Sequence, residues 1–156
     1  MTSIRSHHAP PAGPRAQAGV MLLEALIAIL IFSVGILGIV GLQATAVQQS
    51  SDARYRAQAA ELAQQLLGQM WTGDRTATTL QTQYNCTPPC SSPGAGYATW
   101  YTQVKNNLPG VASDTNLQPA VIVDSAGIVN MTLYWRQASD QTGSSHQYKV
   151  QSQIGQ

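Results

Sequence analysis

The chain has 156 residues and a formal net charge of +1, with only 10% of its residues charged. That balance excludes the usual nucleic-acid binder, which concentrates basic residues in a patch. Setting aside one long apolar run near the start leaves about a hundred residues, room for one small core.

Residues 1–19 hold Arg5 and Arg15 together with Pro10, Pro11 and Pro14. This text predicts an unordered, positively charged leader on the cytoplasmic side of a membrane, and the positive-inside rule then sends everything after Leu42 outward. From Val20 to Leu42 only Glu24 is charged and only Ser33 is otherwise polar. As a helix the run covers about 35 Å, enough to cross a bilayer.

Three readings of that run stay open on the residues alone. Ala44-Thr45-Ala46 is an A-x-A match, so a secretory signal peptide would release a chain starting at Val47. The run is longer than a typical signal core and contains an acid, which argues against it. A plain anchor leaves Glu24 unexplained. The third reading gives Glu24 a partner, because an ionisable group in a membrane segment costs roughly 2.5–3.5 kcal/mol on insertion scales. Cleavage between Gly19 and Val20 would create a positive amine four residues before Glu24, able to meet the Glu24 of a neighbouring copy.

Gly19 followed by VMLLE and a long apolar helix resembles the class III signal of type IV pilins and type II secretion pseudopilins. The resemblance covers roughly the first third of the chain. It implies that a prepilin peptidase cuts after Gly19, that Val20 is the N-methylated residue, and that Glu24 docks each subunit into a filament. The stretch SVGILGIVGLQ most resembles the minor-pilin branch. Its Gly35, Gly38 and Gly41 let helices approach closely in a membrane. Each also costs a helix about 1 kcal/mol relative to alanine, and the resemblance implies a segment that stretches or melts on assembly.

Past the membrane the helix is expected to continue to about residue 71, some 78 Å in all at about 1.5 Å per residue, with Gly73 just beyond its end. Ala44, Val47, Ser51, Tyr55, Ala59, Leu62, Leu66 and Met70 recur at three- and four-residue spacing and form the face that packs. Gln48, Gln49, Asp52, Arg56, Gln64 and Gln65 occupy the other, with Asp52 and Arg56 as an i,i+4 pair.

TTLQTQYNCTPPCSSPGAG reads as an irregular connection. Its Cys86 and Cys90 have the wrong spacing for a redox motif, and no further cysteine completes a zinc site. A local disulfide is preferred over free thiols in an exported chain, contributing about 2 kcal/mol. Trp100, Tyr101, Val104 and Leu108 then mark a short helix ended by Pro109-Gly110. PAVIVD, GIVNMTLYWRQ and HQYKVQSQI predict three strands, with a turn at Asp124–Gly127 and a hairpin loop over ASDQTGSSH. The expected fold is α+β and pilin-like, a long N-terminal helix packed on a small antiparallel sheet. The divisions are 1–19 leader, 20–42 membrane or filament-core helix, 43–73 amphipathic half, and 74–156 globular head.

No nucleophile motif, phosphate cradle or histidine pair stands outside the leader, whose His7 and His8 are adjacent. The carboxylates Asp52, Glu61, Asp74, Asp114, Asp124 and Asp140 are scattered. His146 reads as a solvated loop residue, and Asp114 and Asp124 as loop and turn residues rather than calcium ligands. Trp71, Trp100 and Trp135 read as packing residues before a sugar-binding surface. The chain therefore reads as a non-catalytic structural subunit without a cofactor. The resemblance implies as partners the prepilin peptidase, other minor pilins and the major pilin, the inner-membrane assembly platform and a tip adhesin. It implies an inner-membrane location with a periplasmic head, and later the pilus. The alternatives are a type II secretion minor pseudopilin and an anchored or secreted binding module.

Overall fold

A computed structural model describes residues 18–141 and 143–155. Nearly all of the expected leader, with its arginines, prolines, His7 and His8, lies outside the described residues. Helix α1 spans Ala18–Thr72, so Gly19 already lies in its first turn. By length and composition it is one helix capable of crossing a membrane, and its most apolar window has a mean hydropathy of 2.8.

The residues divide into two compact units, Met1–Val47 and Gln48–Gln156. In the described part of the first, the apolar side chains have no core to enter, and every large one from Val20 to Leu42 is exposed. The second unit builds its own core. The α1 residues Ala59, Leu62, Ala63, Leu66, Leu67 and Met70 are buried there, at the three- and four-residue spacing that keeps side chains on one helical face. The packing face is shorter than the sequence pattern suggests. Ala44 and Val47 are exposed, Ser51 and Tyr55 half-buried, and full burial starts at Ala59.

The segment read as an irregular connection contains a helix. Helix α2 spans Ala77–Tyr84 with a single buried side chain, Leu80, so it carries no apolar period to betray it. Its start is tied by Asp74, which accepts from the Thr76 amide at 2.9 Å and from the Thr79 hydroxyl at 3.0 Å. Those bonds, the Thr76 amide first, hold the Asp74 carboxyl below its ordinary pKa. Helix α3 spans Ala95–Asn107 and buries Tyr97, Trp100 and Val104. The Trp100 indole donates to the Leu62 carbonyl of α1 at 2.9 Å, and the Tyr97 hydroxyl donates to the Pro119 carbonyl at 2.7 Å. Burial pushes the Tyr97 phenol well above its usual range.

Strands β1 (Ala120–Val123), β2 (Ile128–Trp135) and β3 (His146–Gln153) form one antiparallel sheet in that order. Alternation puts Val129, Met131, Leu133 and Trp135 of β2 into the core. Register sets His146 opposite Trp135, Tyr148 opposite Leu133 and Val150 opposite Met131. In the β1–β2 turn, Asp124 Oδ1 accepts from the amides of Ala126 and Ile128. Gly127 takes a φ of 74°, a left-handed conformation that favours glycine.

Candidate assembly site

The assembly residues expected from the sequence all stand on α1. Gly19, Val20 and Glu24 are exposed. A Cβ added at Gly19 would meet nothing within 4 Å, so nothing described in the chain requires glycine there. Val20, Leu23, Glu24, Ile27, Ala28 and Ile31 line one shallow groove along the helix, and the carboxylate lies within this apolar face. Ser33 satisfies its hydroxyl inside the helix by donating to the Ile29 carbonyl at 2.7 Å. Glu24 has no comparable local solution, because a carboxylate only accepts and the carbonyls of the preceding turn do not donate. A helix apolar all round is stable against lipid or other helices rather than against water.

Gly35, Gly38 and Gly41 lie in unbroken helix, and an added Cβ at any of the three would meet nothing within 4 Å. Packing within the described chain therefore does not call for them. Their smallness is open to a partner helix, and their weak helix propensity costs stability without a return inside this chain.

Cys86 and Cys90 are disulfide-bonded. The loop is clamped by Gln118, a buried polar residue that local pattern did not single out. Its side-chain oxygen accepts from the Cys90 amide at 3.2 Å and its amide group donates to the Cys90 carbonyl at 3.4 Å. Cys86 in turn exchanges backbone bonds with Val121 of β1 at 2.8 and 3.0 Å.

The head also holds a polar cleft of about 550 Å³, lined on α1 by Gln48, Asp52 and Arg56 and on the β2–β3 side by Gln137, Asp140 and His146. His146 is not the solvated loop residue expected. It opens β3, stacks on Trp135 with ring centroids 5.6 Å apart, and has a carboxylate at each ring nitrogen. Asp52 Oδ1 is 3.0 Å from Nδ1 and Asp140 Oδ2 is 3.2 Å from Nε2. The expected Asp52–Arg56 pair is not among the salt bridges of the described residues, since the Asp52 carboxylate turns to the histidine. The one signal that pointed here was the hairpin itself, whose pairing brings His146 opposite the buried Trp135. The two nitrogens face opposite ways, so the two carboxylates cannot share one ion with the ring between them.

Trp100 and Trp135 are core residues, as expected, whereas Trp71 is half-exposed under the Arg75 guanidinium, 5.6 Å from its ring centre. Asp114 caps the 3-10 turn Thr115–Leu117 and bonds Arg136 at 2.8 Å. The Asn116 amide, first, and Arg136 hold its carboxyl below the ordinary range. Asp124 is the turn residue described above. No protein-family model, curated protein or solved structure matches the chain.

Proposed function

We propose that the chain is a minor pilin, a non-catalytic subunit that helps to initiate or cap a type IV pilus and so serves twitching motility and adhesion. One observation carries the reading: Gly19 directly precedes an apolar run whose single carboxylate, Glu24, falls at the fifth position after that glycine. The text of residues 22–43 resembles that of PilV, the type IV pilus modification protein. The exposed apolar helix, the α+β head and the Cys86–Cys90 disulfide are compatible with a subunit that waits in a membrane and works outside the cytoplasm.

In this reading the prepilin peptidase cuts between Gly19 and Val20, and Val20 receives the N-methyl group. The helix rests in the inner membrane with the head in the periplasm until the assembly platform extracts it. Neighbouring pilin helices then replace lipid around residues 20–42, and Glu24 meets the terminal amine of an adjacent subunit. Other minor pilins, the major pilin and a tip adhesin are the partners.

The test is the N-terminal sequence and intact mass of the protein purified from membranes of its native host. A chain starting at methylated Val20 is the expected result. A start at Val47, or an uncut leader, would overturn the proposal. Deletion is expected to abolish twitching; loss of exoprotein export instead would assign the subunit to type II secretion.

A further inference from the structure

We propose that the open edge of β3 is a docking site for an extended segment of another polypeptide, one that alternates apolar and polar side chains and carries an acid opposite Lys149. The inference concerns the head alone and does not depend on the proposed function.

Backbone hydrogen bonding along a strand reverses direction with every residue. The Ile154 amide donates to the Gly127 carbonyl at 3.0 Å, and the pairing runs on without a break from Ile128 opposite Gln153 to Trp135 opposite His146. His146, Tyr148, Val150 and Ser152 therefore turn their backbone groups to β2. The N–H and C=O groups of Gln147, Lys149, Gln151 and Gln153 face the other way, where no strand of the described residues meets them. The core face is unfinished on the same side. Leu133 and Met131 are buried, whereas their cross-strand partners Tyr148 and Val150 are only partly covered. One further strand would bond the free backbone groups and, with apolar residues at alternate positions, close over Tyr148 and Val150.

Lys149 decides what kind of strand that is. Gln147, Lys149, Gln151 and Gln153 are exposed on the outer face, where Lys149 stands opposite Thr132 and joins no salt bridge of the described residues. A second copy of β3 is a poor occupant. Its outward groups bond only odd-numbered residues to odd-numbered ones, and the two antiparallel registers that match most of the strand set Lys149 directly opposite its own copy or diagonal to it. Like charges directly opposite destabilise a strand pair, and diagonal neighbours stay within reach of long side chains. A lysine on an edge strand is a recurrent guard against such self-pairing. The same lysine favours a foreign strand with a carboxylate at the facing position, because opposite charges across a strand pair attract. Main-chain hydrogen bonds then supply the affinity, and the alternate side chains supply the selectivity.

The test is residue-resolved hydrogen exchange on the full chain in detergent micelles, with and without a short end-blocked peptide that alternates valine and threonine around one central glutamate. With the peptide at about 1 mM, the amides of Gln147, Lys149, Gln151 and Gln153 are expected to slow about tenfold, the scale of one hydrogen bond. Those of Tyr148, Val150 and Ser152 already bond β2 and are expected to hold steady. A peptide with lysine in place of the glutamate should bind severalfold more weakly, and Lys149→Glu should reverse that order. Gln151→Pro removes only an outward N–H, so the sheet should survive while the peptide no longer binds; Lys149→Glu suffices if that variant fails to fold. Unchanged exchange at the four outward amides, equal binding of the two peptides, or binding that persists in folded Gln151→Pro would overturn the proposal. Slowing of the same amides with rising protein concentration and no peptide would also overturn it, by making a second copy the occupant.

Discussion

At Gly127 the φ of 74° and the backbone of Gly155 act together: a Cβ would collide with the Gly155 Cα even if the conformation were kept. The Gly127 carbonyl also accepts from the amides of Ile154 and Gly155 at 3.0 and 3.1 Å, locking the chain end to the β1–β2 turn. Gly127→Ala is expected to cost about 1–3 kcal/mol, visible as a lowered melting temperature of the head. Asp114 makes a different residue-scale prediction. Its folded pKa lies below the ordinary 3.8, so its contribution is present above that value and fades as pH falls through the folded one. Loop protection near Arg136 is expected to decline below about pH 4 in wild type and to lose that dependence in Asp114→Asn.

At the scale of elements, one helix obeys two rules along its length. Leu66 is wholly buried whereas Leu30 is 64% exposed. Leu66→Ala is expected to destabilise the head by about 2–5 kcal/mol. Leu30→Ala should leave head melting unchanged, which calorimetry on the two variants would decide. The three strands were legible because β-branched and aromatic residues alternate along them, as was the short helix around Trp100. Helix α2 was not legible, since Leu80 is its only buried anchor and its start depends on Asp74 from outside it. The Asp52–His146 contact was hidden for another reason. Local pattern pairs Asp52 with the nearer Arg56, and only the tertiary fold brings a residue 94 positions later to the same carboxylate. Gly19 and Glu24 are exposed on α1, so the reading of them rests on the sequence text alone rather than on any contact within the described chain.

For the whole molecule, the two units differ in how they are built. Among the described residues, the first unit exposes its apolar side chains with Glu24 among them, and the second has a closed core that does not draw on residues 20–42. Glu24→Ala is therefore expected to fold, insert and be processed normally while losing filament entry, measured as piliation in a deletion strain complemented with the variant. Full piliation would remove Glu24 from the assembly account. Replacing Gly35, Gly38 and Gly41 together by alanine should leave the head intact, because no Cβ there would meet a neighbour. It is expected to add helix stability on the order of 1 kcal/mol per site, read as slower amide exchange over residues 35–41. Equal exchange in the variant would show that the glycines confer no local softness.

The disulfide loop has a consequence for the sheet as a whole. Cys86 bonds across to Val121, Asn85 accepts from the Val123 amide at 2.7 Å, and Gln81 donates to the Val123 carbonyl at 3.2 Å. The outer margin of β1 is thereby sealed by its own chain, while no described strand lies beyond β3. An open strand margin is a template for another chain, so sealing one side gives the sheet a direction: it can be lengthened only past β3. Among the described residues, the bonds from Gln81, Asn85 and Cys86 thus leave the β3 side as the one margin at which a further strand could be added.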